Sequence, residues 1–169
     1  MKILAGRFKG IPIKMSKKMP YRPTKSRVRK SIFDKLVPFH YLSVLDLFSG
    51  SGIMGLEASS RGASSVTFVE KHGKSLALMK ENSLKFHGVD YSFIKMDVFS
   101  FLKQARSFDL VFADPPYGRF DLKTLVETIF ERLNKNGKLI LECEKSQAPF
   151  LDADVTDYGN TRILTWTNL

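Results

Sequence analysis

Ser43-Val44-Leu45-Asp46-Leu47-Phe48-Ser49-Gly50-Ser51-Gly52 is an apolar run broken by one acid and closed by small, flexible residues. A run this short, ending in glycine, reads as a buried strand of a parallel sheet. Ile53-Met54-Gly55-Leu56-Glu57-Ala58 follows as the opening of a helix, so the chain passes from strand through glycine turn to helix N-terminus. Glycine admits positive φ and lets a ligand lie against the main chain, while a helix start offers N–H groups that lack intrahelical partners. A nucleotide-like cofactor fits such a turn.

Gly50, Gly52 and Gly55 satisfy G-x-G-x-x-G, a pattern that gains meaning only from its context. Here the next apolar run, 65–70, ends in Glu70, where an acid accepts from both hydroxyls of a ribose. Asp46, just before the glycines, and a second motif downstream set the loop apart from a nicotinamide site. That motif is Asp114-Pro115-Pro116-Tyr117, closing the apolar run 108–113. Together the two motifs point to methyl transfer.

Working outward, strands are expected at 43–47, 65–70, 91–95, 108–113 and 138–143, with helices over 54–61, 74–86, 98–105 and 122–133 between them. Gly62, Gly88 and Asn136-Gly137 are expected to stop helices. Segments 153–158 and 161–167 flank Gly159-Asn160, a hairpin signal that predicts an antiparallel ribbon at the sheet edge. Before the sheet, 3–8 and 11–15 suggest a small hairpin around Gly10, and a basic, proline-punctuated linker follows. Thr24 or Ser26 is expected to cap a helix reaching about Leu36, with Val28, Ile32 and Leu36 facing the core. The fold class is therefore α/β, a mostly parallel sheet with a C-terminal antiparallel hairpin, plus a basic N-terminal hairpin and helix.

The chain has 169 residues, 43% hydrophobic and 26% charged, proportions of a soluble globular chain and not of a disordered one. One domain over 1–169 is expected, divided into a basic RNA-binding extension, 1–38, and a catalytic core, 39–169. The net charge of +10 is unevenly spread, because residues 1–36 carry twelve Lys or Arg and one acid, Asp34. Phosphate is the partner such a segment suits, with Lys and Arg contacts sensitive to salt. No apolar run spans a bilayer and the N-terminus lacks the apolar core of a signal peptide, so a cytoplasmic protein with no membrane partner is expected. Cys143 sits in an apolar strand and is expected to be buried. His40, His72 and His87 form no ligand spacing with it, so no metal is expected.

Acids fall at the carboxyl ends of the predicted strands, where ligands of open α/β sheets gather. With S-adenosylmethionine as cofactor, Glu70 would accept from the ribose hydroxyls, Asp97 from the adenine amine, and Asp46 would lie near the cationic amino-acid end. Phe48, Gly50, Ser51 and Gly52 belong to the same site. Asp114-Pro115-Pro116-Tyr117 suits a planar amine whose lone pair is drawn into a ring. The Asp114 carboxylate and Pro115 carbonyl could grip its two N–H bonds, the prolines remove competing donors, and Tyr117 could stack on an unpaired base. Tyr21, Tyr41, Phe99 and Phe101 are read as packing residues.

Gly6-Arg7, Arg22-Pro23-Thr24 with Arg27-Val28-Arg29, the run from Asp46 to Gly52 with Gly55-Leu56-Glu57-Ala58, and Asp114-Pro115-Pro116-Tyr117 together resemble the bacterial 16S rRNA guanine-N2 methyltransferases. Ser49 stands where that family often has alanine, and the region after Glu144 is short. The resemblance implies a Rossmann-like class I methyltransferase sheet, S-adenosyl-L-methionine as donor, and transfer to a guanine 2-amino group in 16S rRNA within a small-subunit assembly particle. It also implies RNA contacts from Arg7, Arg22, Thr24, Arg27, Arg29 and Lys30. Two other readings use the same residues: a DNA amino-methyltransferase acting on adenine N6 or cytosine N4, and a noncatalytic RNA-binding assembly factor.

Overall fold

A computed structural model describes residues 1–15 and 24–169 of the chain. Its described elements, in order, are α1 (Ser26–Asp34), β1 (Ser43–Leu47), α2 (Ile53–Arg61), β2 (Ser65–Glu70), α3 (Gly73–Ser83), β3 (Asp90–Lys95), α4 (Val98–Leu102), β4 (Phe108–Ala113), α5 (Leu122–Phe130), β5 (Leu133–Glu144), β6 (Asp154–Tyr158) and β7 (Thr161–Thr167). The strands form one sheet in the order β3-β2-β1-β4-β5-β7-β6. The first five run parallel, and β7 pairs antiparallel with both β5 and β6. The chain builds outward from β1 to β3 and then returns to place β4 beside β1. That reversal opens a crevice at the carboxyl ends of β1 and β4.

Strand alternation divides the core in two. Val44, Phe68, Phe112, Ile140 and Ile163 face α1, α2 and α3, whereas Leu45, Val111, Leu139, Leu141 and Leu164 face α4 and α5. Ile3, Ile13, Val28, Ile32 and Phe33 are buried in the first of these layers. The basic N-terminal segment thus shares the sheet's own core. Cys143 is buried in the second layer, and burial pushes its thiol up to about 11. Tyr41 is buried, and Phe99 and Phe101 pack against the second layer; Tyr21 lies outside the described residues. Among the described residues, no helix is long and apolar enough to cross a membrane.

β1, β2, β4 and β7 occupy the expected residues, and the differences lie at ends and turns. The N-cap of α1 is Lys25, whose ammonium has no acceptor to cap with, and Thr24 donates its hydroxyl elsewhere. The N-terminal hairpin is reduced to one bridge, Lys2 with Pro12, held by Ile3 N–H to Ile11 O and Ile13 N–H to Met1 O. Three helices end early, α3 at Ser83, α4 at Leu102 and α5 at Phe130. Gly62 is the C-cap of α2 as expected, but Gly88 leads into β3 and Asn136-Gly137 lies inside β5. β5 starts early because Leu133 pairs with Phe108 before the register shifts, and Asn136 takes positive φ in that irregular stretch.

Candidate active site

A cavity of about 660 Å³ lies at the carboxyl ends of β1, β2, β4 and β5, within the range of small-molecule sites. One half is built by the loop after β1. Phe48, Gly50 and Gly52 all have positive φ, at 55°, 50° and 72°. For Phe48, a residue with a β-carbon, that conformation costs on the order of 1–3 kcal/mol, a strain that clusters at ligand sites. Its ring meets the Phe120 ring edge to face at 5.1 Å, which brings the chain after β4 against the loop.

Glu70 holds the loop from the next strand. One carboxylate oxygen accepts from Gly50 N–H at 2.9 Å and the other from His72 N–H at 2.9 Å. An ionised carboxylate has about four acceptor positions, so both oxygens keep capacity for a ligand's hydroxyls. Gly52 and Gly55 serve packing instead. A β-carbon on Gly52 would strike Met79 and one on Gly55 would strike Phe68, so these glycines let α2 lie close on the sheet. Asp97 caps α4 through Ser100 N–H at 3.1 Å and lines the cavity.

Asp46 accepts from Gly55 N–H at 3.0 Å and is almost wholly buried. Burial drives its pKa up to about 8, Glu70 adds to the rise, and the Gly55 N–H opposes it. The other half of the cavity is Asp114-Pro115-Pro116-Tyr117. β4 and β5 pair in parallel through Phe112 with Ile140 and Ala113 with Leu141. Asp114 and Glu142 are the next residues of the two strands, and alternation turns both toward the α1 face. Asp114 is raised well above the ordinary carboxylate range by burial, then by Glu142, then by Asp46. Tyr117 is 47% exposed at the mouth, and its hydroxyl is raised by burial, Glu142 and Asp114. Thr24 closes this side by donating its hydroxyl to Glu142 Oε2 at 3.1 Å.

The chain matches the family model described as Conserved hypothetical protein 95 over residues 1–163. It is 34% identical to Ribosomal RNA small subunit methyltransferase D of Haemophilus influenzae, over 87% of this chain and 80% of that protein. The protein of the same name from Buchnera aphidicola is 30% identical, over 92% of this chain and 84% of its own length. The chain belongs to the small-subunit rRNA methyltransferase D family. Solved structures agree: a candidate methyltransferase of Escherichia coli, yhhF, superposes with a TM-score of 0.87 at 25% identity, covering 99% of this chain and 97% of that one. The protein TTHA0928 of Thermus thermophilus superposes with a TM-score of 0.85 at 29% identity, covering 98% of each chain.

In this member of the methyltransferase D family, Asp46, Phe48, Gly50, Ser51, Glu70, Asp97 and the four residues from Asp114 to Tyr117 line one cavity, and Thr24 lines it with them. Gly52 caps α2 behind it. Arg27 and Lys30 are exposed on α1, Lys30 paired with Asp34 at 2.6 Å; Arg22 lies outside the described residues. Arg7 is exposed but bonded to Ser60 O through its N–H and to Gly88 O through its side chain, in segments that lead into β2 and β3. It therefore sits at the end of the sheet opposite the cavity.

Arg29 corrects the expectation of a phosphate contact. Its side chain is fully buried, donating to Lys2 O at 2.7 Å with Nε 3.5 Å from Glu57, because the α1 face that meets α2 is its own. Burial pulls its pKa down, and Glu57 opposes that. Sequence reasoning missed Glu142, although an acid near the end of an apolar strand is the pattern that marked Asp46. It also missed Met96 and Phe120 in the cavity wall, whose types carry no signal of their own.

Proposed function

We propose that the protein transfers a methyl group from S-adenosyl-L-methionine to the exocyclic 2-amino group of a guanine in 16S rRNA, in the cytoplasm, on a small-subunit assembly particle. The position implied by the family resemblance is guanine 966. The observation that carries this reading is the shared cavity, with ribose and adenine acceptors at one end and Asp114-Pro115-Pro116-Tyr117 at the other. The relatives' names support it.

The residues present fit the donor. Glu70 is already fixed by two backbone N–H groups, which aims its remaining acceptor capacity at ribose hydroxyls. Asp97 suits the adenine amine, Phe48 and Met96 give that ring apolar walls, and Asp46 suits a cationic amino-acid end. When bound, S-adenosylmethionine supplies an electrophilic methyl group on a sulfonium sulfur. The chain's own residues handle the acceptor. Asp114 and the Pro115 carbonyl hold the two N–H bonds of the amine, so that its lone pair faces the donor. Pro116 places no competing N–H beside them. Tyr117 stacks on the extruded base, a contact worth about 1–3 kcal/mol. Positioning and electrostatics supply the rate, and ionised Asp114 is placed to take the proton that the methylated amine gives up.

The reading is tested by offering labelled donor with small-subunit particles, free rRNA and duplex DNA, then digesting the products to nucleosides. N2-methylguanosine from small-subunit RNA is expected. Label in DNA would favour the amino-methyltransferase of adenine or cytosine, and no label anywhere would favour a noncatalytic assembly factor.

A further inference from the structure

We propose that Glu142 is the residue that reads the target base as guanine, by accepting the N1–H next to the amine that Asp114 and Pro115 hold. This rests on the guanine reading above. The Watson–Crick edge of guanine carries three N–H donors in a row, one on N1 and two on the 2-amine. Glu142, Asp114 and Pro115 all line the cavity, and between them they carry two carboxylates and a carbonyl, groups that accept. Adenine and cytosine differ at the decisive place, because the ring nitrogen beside their amine is itself an acceptor. A carboxylate repels it.

The geometry that puts Glu142 there is set by the sheet. β4 and β5 are neighbours paired up to Ala113 and Leu141, so Asp114, the residue after β4, comes beside Glu142 of β5, and alternation turns both to the same face. Both line the cavity, and the charge of Glu142 is felt by Asp114 and by Tyr117. A base stacked on Tyr117 with its amine at Asp114 therefore has Glu142 along its edge. The hydrogen bond from Thr24 to Glu142 Oε2 makes Thr24 a positioning residue. It fixes the carboxylate from the chain just before α1, the helix whose exposed Arg27 and Lys30 are offered to RNA.

The test uses 2-aminopurine, which keeps the 2-amine and has an acceptor at N1. Small-subunit particles are assembled on ligated 16S rRNA bearing guanosine or 2-aminopurine riboside at the methylated position, and kcat/KM is measured for the wild-type chain and for Glu142→Gln. The wild-type chain is expected to prefer guanine by about 10²-fold, as a site built around a substrate N–H rejects its analogue. In Glu142→Gln the preference should fall to within about fivefold, because an amide can present either its oxygen or its NH2 to N1 while its other atom bonds the Thr24 hydroxyl, which both donates and accepts. A variant that slows equally on both RNAs and keeps the wild-type preference would overturn the proposal. Wild-type chain that methylates neither RNA would overturn the guanine reading beneath it. Should Glu142→Gln fail to bind the donor, Thr24→Val takes its place. A preference lowered about fivefold is expected there, and an unchanged one would overturn the proposal.

Discussion

Two groups of charged side chains lie on the same side of the sheet, near α1, and they are built on opposite plans: Glu57 and Arg29 are fully buried, whereas Asp114 and Glu142 are only partly so. Glu57 accepts from Leu4 N–H at 2.9 Å, Ala5 N–H at 3.1 Å and Arg61 at 3.0 Å, and faces Arg29 at 3.5 Å. Its charge is met on every side. Asp46, Asp114 and Glu142 lie side by side at the carboxyl ends of β1, β4 and β5, and burial and acidic neighbours raise the first two, so that both keep protons where ordinary carboxylates have lost them. A buried charge with its needs met holds the N-terminal segment to α2. Acids raised in this way carry the pKa perturbation that marks a functional site. The difference also sorts the basic residues: Arg29 belongs to architecture, Arg27 to the surface.

The sharpest way to break this contrast is stability. Glu57→Ala strands Arg29 and two backbone N–H groups, and should lower the unfolding free energy by about 3–5 kcal/mol. Glu142→Gln, which keeps the Thr24 bond, should change it by less than about 1 kcal/mol. Urea denaturation of both variants reads this directly, and equal losses would merge the two groups into one.

Asp46 should give the next effect. Its raised pKa means that the folded chain keeps a proton that the unfolded chain has released. Its contribution to stability is therefore full below about pH 4, falls as the pH climbs to about 8, and changes no further above. Asp46→Asn, which still accepts from Gly55 N–H, should lack that part of the fall and exceed the wild-type chain by several kcal/mol at pH 8. Urea titrations at pH 4, 6 and 8 without donor would show it, and parallel curves would return Asp46 to an ordinary solvated acid.

Methylation should follow Asp114. Only its ionised form can take the released proton on the reading proposed above, so the rate should rise with pH, with a midpoint well above the ordinary carboxylate range. Glu142→Gln removes a neighbouring charge and should move that midpoint toward lower pH. A midpoint that stays put would place Glu142 outside the electrostatics of the site. The smallest effect concerns the surface. Arg27→Glu should weaken particle binding and flatten its dependence on log salt by about 1, whereas Arg29→Ala should destabilise the fold and leave that slope alone.

Much of this was legible in the chain because parallel strands and acidic strand ends write themselves plainly. β1, β2, β4 and β7 occupy the residues expected of them, the first three because each is an apolar run bounded by turn residues and β7 because Gly159-Asn160 marks the hairpin before it. The ends of α3, α4 and α5 were not, because apolar residues beyond them, such as Phe86 and Leu133, keep helical spacing while packing from turns or from β5. Arg29 looked like its cationic neighbours. Its spacing to Ile32 and Phe33 puts it on the buried side of α1, and what accepts it there is Glu57 of α2, a partner that the local sequence does not name. Glu142 became visible as a site residue only when the pairing of β4 with β5 set it beside Asp114.

The central claim is that Asp114 serves the target amine while Glu70 and Asp97 serve the donor. Asp114→Ala tests it most directly, with donor affinity measured by titration and methyl transfer measured in a single turnover on small-subunit particles. Donor affinity is expected to stay within a few fold of the wild-type value while transfer falls by about 10³-fold or more. Parallel losses of binding and transfer would contradict the division and move Asp114 into the donor site.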